Sequence, residues 1–192
     1  MQIREIDADI TEPVDMATVK SYCRIDADYT SDDTDLLVSI TSARQRLEAY
    51  LNIGLVKRNI ELQWDGKCIE MPLSPTGEVV SVKDGDTILT SDQYSINSFQ
   101  AKSIQVNNTS DSNFSYFYSE TGSVEVWESS TSVHKVYKCI YSTGYEVLPS
   151  GLKMALLAEI DYLFKQRGMP DNSVISDAAM LLSHGWSRNL VL

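Results

Sequence analysis

The stretch Ser31–Gly54, SDDTDLLVSITSARQRLEAYLNIG, carries a helix start signal, a periodic apolar face and a stop signal in one segment. Asp32, Asp33 and Asp35 crowd its start, where carboxylates accept from the unpaired N–H groups of a first turn and oppose the positive end of the helix dipole. Ser31 or Asp32 is the expected cap. Leu36, Ile40, Ala43, Leu47 and Tyr50 recur at helical steps and share one stripe, which Leu37 and Leu51 widen. Arg44, Arg46 and Glu48 fall outside that stripe, and Gly54 supplies a left-handed stop. Such a rod spans roughly 30 Å at about 1.5 Å per residue and needs partners along its length.

On the N-terminal side, residues 1–12 are polar, with Ile3, Ile6 and Ile10 sparse, and read as an arm or short strand. Thr11 and Pro13 then open a short helix whose Met16, Val19 and Cys23 share a face. On the C-terminal side the period changes to two. Ile60, Leu62 and Trp64 alternate with Asn59, Glu61 and Gln63, which predicts a strand over Lys57–Trp64, and Asp65-Gly66 predicts a hairpin to Lys67–Met71. A second Asp-Gly, Asp84-Gly85, separates strands at Glu78–Lys83 and Asp86–Leu89. Further strands are expected at Gln93–Ile96, Ser103–Val106, Asn113–Tyr118, Ser123–Trp127 and Val133–Ser142, with exposed loops at 107–113 and 129–132.

Pro149 and Ser150 open a second strong helix, Gly151–Arg167, stopped by Gly168 and Pro170. Its apolar residues nearly encircle it, leaving Lys153, Glu159, Asp161 and Lys165 as a wet strip, so it is expected to be covered on two sides. The β segment, the long helix or a neighbouring copy of the chain can supply the second cover. A last helix is expected over Ser173–His184, with Val174, Ala178, Leu181 and Leu182 on one face and Gly185 as its stop. The tail that follows, Trp186–Leu192, is too apolar for a solvated terminus and either folds back or docks elsewhere. The fold class is therefore α+β: a small helical bundle of N- and C-terminal helices with an inserted antiparallel β module. The expected parts are 1–55 and 147–170 as the helical body, 56–146 as the β module, and 171–192 as C-terminal helix and docking tail.

At 192 residues and 43% hydrophobic content the chain can bury a real core. No apolar run approaches a membrane span, and MQIREIDADI lacks the basic and apolar regions of a signal peptide, so a soluble protein made in the cytoplasm is expected. With 16 basic residues against 27 acidic ones and no basic run, a grip on DNA is not expected, although a surface that DNA slides past is compatible with a net charge of −11. Cys23, Cys68 and Cys139 are far apart and read as buried free thiols. Asp26, Asp28, Asp32, Asp33 and Asp35 begin like a calcium loop, but Ser31 stands at the turn glycine and Leu37 at the closing Glu, so capping is the better reading. His134 and His184 have no ligand spacing, and nucleophile-elbow, P-loop, dinucleotide and zincin motifs are absent, so no catalytic residue, metal or cofactor is assigned. Phe114, Tyr116, Phe117 and Tyr118 form either a contact patch or ordinary alternating strand packing.

Two blocks in this order, MATVKSYCRIDADYTSDDTDLLVSITSARQRLEAYLNIGLV and YKCIYSTGYEVLPSGLKMALLAEIDYLFKQRG, resemble the head-to-tail connector, or adaptor, proteins of tailed bacteriophages and prophages. The short helix ending Cys-Arg-Ile-Asp at Cys23–Asp26, the acid-capped long helix, and Gly144-Tyr145 before Pro149 carry the resemblance, which spans most of residues 14–168. It implies a structural virion protein of the neck, in a ring of about twelve copies under the portal that extends the DNA channel to the stopper or tail. DNA would pass without specific binding. The family's C-terminal reach to the portal protein carries over to Val174–Leu192, which makes Leu181, Leu182, Trp186, Arg188, Leu190, Val191 and Leu192 the portal-docking candidates. Arg44, Arg46 and Glu48, on the outer face of the long helix, become candidates for subunit-to-subunit contacts. The alternatives are another neck component, such as a stopper, tail terminator or tail-completion protein, and a non-viral binding module or hydrolase.

Overall fold

Alternation of period two and of period 3.6 sorts the chain into two units. The computed structural model describes residues 1–7, 10–65, 68–97, 102–107, 136–167 and 174–186, together with the backbone of strands at 114–118 and 124–128. One unit comprises Met1–Arg4, Glu61–Met71 and Val79–Ile140, and the other Glu5–Ile60, Pro72–Glu78 and Tyr141–Leu192.

The first unit is antiparallel β. Its elements are β1 (Gln2–Glu5), β2 (Arg58–Asp65), β3 (Cys68–Glu70), β4 (Thr76–Asp84), β5 (Thr87–Ile88), β6 (Tyr94–Asn97), β7 (Ser103–Val106), β8 (Phe114–Tyr118), β9 (Val124–Glu128) and β10 (Val136–Thr143). Strands β1, β2, β4 and β10 each have their remaining residues in the helical unit. The largest sheet runs β1-β2-β10-β4-β5, a second β3-β7-β6, and β8 pairs with β9. In β2, Leu62 and Trp64 are buried as the alternation requires, and the Trp64 and Tyr137 rings lie 5.7 Å apart. The Asp84-Gly85 hairpin forms as expected, pairing Lys83 with Ile88, and Gly85 takes the positive φ of +59° that its tight turn demands. The turn expected at Asp65-Gly66 falls partly outside the described residues, and among the described residues β2 and β3 lie in different sheets. β3 pairs with β7 in register Ile69 to Ile104, whereas β2 pairs with β1 and β10. Turn residues mark where a chain bends, but hydrogen-bond partners are chosen by whichever edge is left open.

The second unit is built on α1 (Met16–Cys23), α2 (Asp33–Leu51), α3 (Ser150–Lys165) and α4 (Asp177–Ser183), with a 3-10 turn at His184–Trp186. Together these elements confirm the α+β class. α3 is the central helix and packs on α1, α2 and α4, so its second cover comes from within the chain. The core joins Leu36, Ile40, Leu47 and Leu51 of α2 to Leu152, Leu156 and Ile160 of α3, with Val19 of α1 and Ala179 of α4.

The caps differ from those expected. Asp15, not Thr11, caps α1 by accepting from the Thr18 N–H at 2.6 Å. Asp32 holds the cap position of α2 without a side-chain cap bond. The aspartates there serve cations instead. Asp33 lies 2.7 Å from the Lys20 ammonium, which also donates to the Ala27 and Tyr29 carbonyls, so a lysine occupies the centre of the acidic loop. Asp32 and Asp35 pair with Arg167. α2 stops at Asn52, in the left-handed region at φ +54°, two residues before the expected Gly54. Gly54 is used differently: it lies against Gly144, and a Cβ on it would come 3.1 Å from the Gly144 backbone. Leu37, placed on the buried stripe by its spacing, is exposed.

Candidate functional site

Three local arrangements of the helical unit bear on what the chain can do: a buried charge cluster, a latch under α4 and an open cleft. The cluster centres on Glu48, of which 5% is exposed. Its Oε1 accepts from Arg58 Nη1 at 2.7 Å and from the Leu55 N–H at 2.8 Å, and its Oε2 from Arg58 Nη2 at 3.0 Å and Arg44 Nη1 at 3.1 Å. Arg44, 4% exposed, also donates through Nε to Glu12 at 3.0 Å, and Arg58 Nε lies 3.2 Å from Glu5. Burial pulls the Arg58 pKa down, but the hydrogen bonds and charge of Glu48, with Glu5 and Asp7 beyond, outweigh it and raise the guanidinium above its ordinary value. The arrangement is structural: it sets carboxylates beside two buried guanidiniums and ties Glu5 to β2 and Glu12 to α2.

These distances correct one expectation directly. Arg44 and Glu48 are not on an outer face. They flank the apolar stripe, and their polar ends turn inward to meet Arg58, which occupies the buried side of the β2 alternation. The signal was present in sequence as an Arg-Glu pair at i,i+4 together with a basic residue in step with Ile60 and Leu62. Arg46 is partly exposed but is also engaged within the chain.

The latch is built on Glu159, which is 0% exposed although its position in the sequence puts it on the wet strip of α3. Its Oε1 meets Arg46 Nη1 at 3.1 Å, and its Oε2 accepts from the Ser176 N–H at 2.8 Å. Arg46 Nε donates to the Val174 carbonyl at 3.1 Å, and Ser176 caps α4 by accepting from the Ala179 N–H. The segment entering α4 is thereby tied to α2 and α3. Ile175, Ala179 and Ser183 face inward, while Val174, Leu181 and Leu182, expected together on one face, are exposed, Leu181 at 80%. Small residues win the inward position because they let α4 approach α3 closely, and the cap held by Glu159 sets the helix phase. Glu159→Ala is expected to loosen α4 by about 1–3 kcal/mol through the orphaned Ser176 N–H, read as faster amide exchange across Ala179–Ser183 with α2 unchanged.

Of the docking candidates, Leu181, Leu182 and Trp186 are all exposed, and the Trp186 ring stands edge-on to Tyr145 at 6.4 Å. Arg188, Leu190, Val191 and Leu192 lie outside the described residues, as do His134, the Gly66 turn, the Gly168 and Pro170 stop and the side chains at 114–118. Beside Tyr145 an open cleft of about 430 Å³ runs between Thr11–Pro13, Leu55–Lys57 and Tyr145–Leu148, with Lys153 at its rim. Of the thiols, Cys139 is buried, which pushes its pKa up to about 12, and Cys23 is half-buried, its pKa raised to about 11 by burial and by Asp161; Cys68 is exposed, contrary to expectation. Among the described residues no three His, Cys, Asp or Glu side chains converge as a metal site, and no helix is long and apolar enough to cross a membrane.

No protein-family model and no curated protein matches the chain. Solved structures do. A chain from the neck of an empty gene transfer agent particle, computed with C6 symmetry, superposes with a TM-score of 0.71 at 16% identity, covering 100% of this chain and 98% of that one. A chain from the virion of the native gene transfer agent particle gives the same values. A chain from the neck of the native particle, computed with C12 symmetry, gives a TM-score of 0.67 at 15% identity with the same coverage. At such identity what is shared is the fold, and it is shared from one end of the chain to the other.

Proposed function

We propose that this chain is a structural protein of a phage-like virion neck, a head-to-tail adaptor that assembles as a ring under the portal and extends the DNA channel toward the stopper or tail. The observation that carries the reading is the end-to-end likeness of fold to chains of gene transfer agent necks. That those particles were computed with C6 and C12 symmetry supports a ring of copies, twelve in the simplest case. A net charge of −11 suits a channel wall that DNA slides past without sticking. The role needs no catalytic step and no cofactor. A different neck component, a stopper or tail-completion protein, shares the setting, and imaging the chain mixed with its portal separates the two by the position of the added ring.

The outward apolar face of α4 is the portal-docking surface in this reading, with Leu181 and Leu182 at its centre. Burying each would contribute about 1.5–3 kcal/mol. Leu181→Asp with Leu182→Asp is therefore expected to weaken portal binding about a hundredfold or more in a pull-down titration. Because both side chains are exposed in the free chain, the melting temperature should hardly move, surface changes being within about 0.5 kcal/mol. Undiminished binding by the double variant would remove the portal from this face.

A further inference from the structure

We propose that the outward face of α2 packs into the groove between α1 and α3 of a second copy of the chain, and that this contact, repeated head to tail, builds the ring. The inference rests on the ring reading above and adds to it the two surfaces that meet. All five charged side chains of α2 are engaged within the chain: Asp33 with Lys20, Asp35 with Arg167, Arg44 with Glu12, Arg46 with Glu159 and Glu48 with Arg58. Beyond the Asp35 pair, what α2 turns to solvent is uncharged. Thr34, Val38, Gln45 and Ala49 recur at steps of four and seven and form one exposed stripe, which Leu37 widens; Val38 is 63% exposed. A helix that met only water would carry charge on that side, and a chain with 22% charged residues has charge to place there.

The counterpart lies on the same chain. Ala17, Thr18, Ser21 and Tyr22 of α1, with Leu157 of α3, line an open groove of about 460 Å³, and none of the five is charged. Met154, one turn before Leu157, is exposed as well. Charge selects a second copy as the occupant. Each copy carries a net −11, so two copies repel wherever acidic surfaces meet, and uncharged patches let them touch at least cost. A basic partner would be met by carboxylates, and neither set of residues contains one. Ridge and groove are different surfaces of one body, so the contact is heterologous and closes into a ring instead of a pair. The ridge is about 22 Å long and about 10 Å wide, well short of the ~800 Å² per partner of a standard stable interface. One such contact is therefore weak, and a closed ring holds each copy by two of them.

The test is cross-linking with a short bis-maleimide, without any portal, at about 1 mM protein, the concentration a neighbour has within an assembly. The exposed native thiol is removed by Cys68→Ser; Cys139 is buried and Cys23 half-buried, with pKa values raised to about 12 and about 11, so both react slowly. Val38→Cys and Ser21→Cys variants, each alone, are expected to stay monomeric on a denaturing gel. Their mixture should give a dimer, and the double variant a ladder of multimers. Gln45→Glu added to both partners should lower the mixed dimer about tenfold by placing a charge in the contact, with the melting temperature unchanged because Gln45 is exposed. A dimer from Val38→Cys alone would overturn the proposal, since it means that two ridges meet, and so would a mixture that does not cross-link. The portal assignment is read separately from portal binding, so either can fail while the other stands.

Discussion

Glu48→Ala is expected to lower stability by about 3–5 kcal/mol, the cost of breaking a buried ion pair from one side. Four donors converge on that carboxylate: Arg58 twice, Arg44 once and the Leu55 N–H once. Truncation leaves two guanidiniums, each about 4% exposed, beside an unfilled space. Glu5 and Glu12 remain to compensate them, but both sit nearer the surface, where their attraction is screened. Urea unfolding should show the midpoint falling with little change of slope. A loss below about 1 kcal/mol would mean that the cluster is solvated and contributes no more than a surface pair.

Gly144→Ala should be comparably severe for a different reason. Gly144 follows β10 with φ at +89°, and a Cβ built on it would stand 2.0 Å from the Val56 carbonyl oxygen. Its N–H donates to the Pro75 carbonyl at 3.0 Å, and Lys57 and Tyr145 are joined by a backbone bond one residue on. The backbone is therefore held on several sides and cannot step aside. A positive φ at a residue with a side chain costs about 1–3 kcal/mol, and forcing the Val56–Lys57 backbone outward adds a similar amount. Thermal unfolding is the measurement, with Gly85→Ala as the control. Gly85 also has a positive φ but nothing within 4 Å of its Cβ, so it should show only the backbone part. Equal losses at the two positions would remove the close approach from the explanation.

Much of the candidate docking face was legible as composition and not as orientation. Leu181, Leu182 and Trp186 stand out in sequence as apolar residues near the chain's end, and all three are exposed. Spacing put Leu181 and Leu182 on one face of α4 without deciding whether that face is buried, because two apolar stripes compete on a helix of seven residues. The choice between them was made by Glu159 and Arg46, which are distant in sequence and reach the start of α4 through Ser176 and Val174. The cleft was not legible at all. It is assembled from three segments, each of which alone reads as an ordinary turn or helix start.

The sequence by itself determined the elements and their apolar faces. Leu36, Ile40, Ala43 and Leu47 had to share a stripe, Leu62 and Trp64 a strand face, and Gly85 a turn, since these follow from the geometry of a few bonds between near neighbours. Only the tertiary structure decided which charges go inside, which strand β3 joins, and which way α4 turns. A buried carboxylate such as Glu48 or Glu159 is tolerable only where donors meet it with good geometry, and those donors come from elements far along the chain. Local periodicity carries no record of such meetings, so it placed both glutamates in water while the fold placed them in its core.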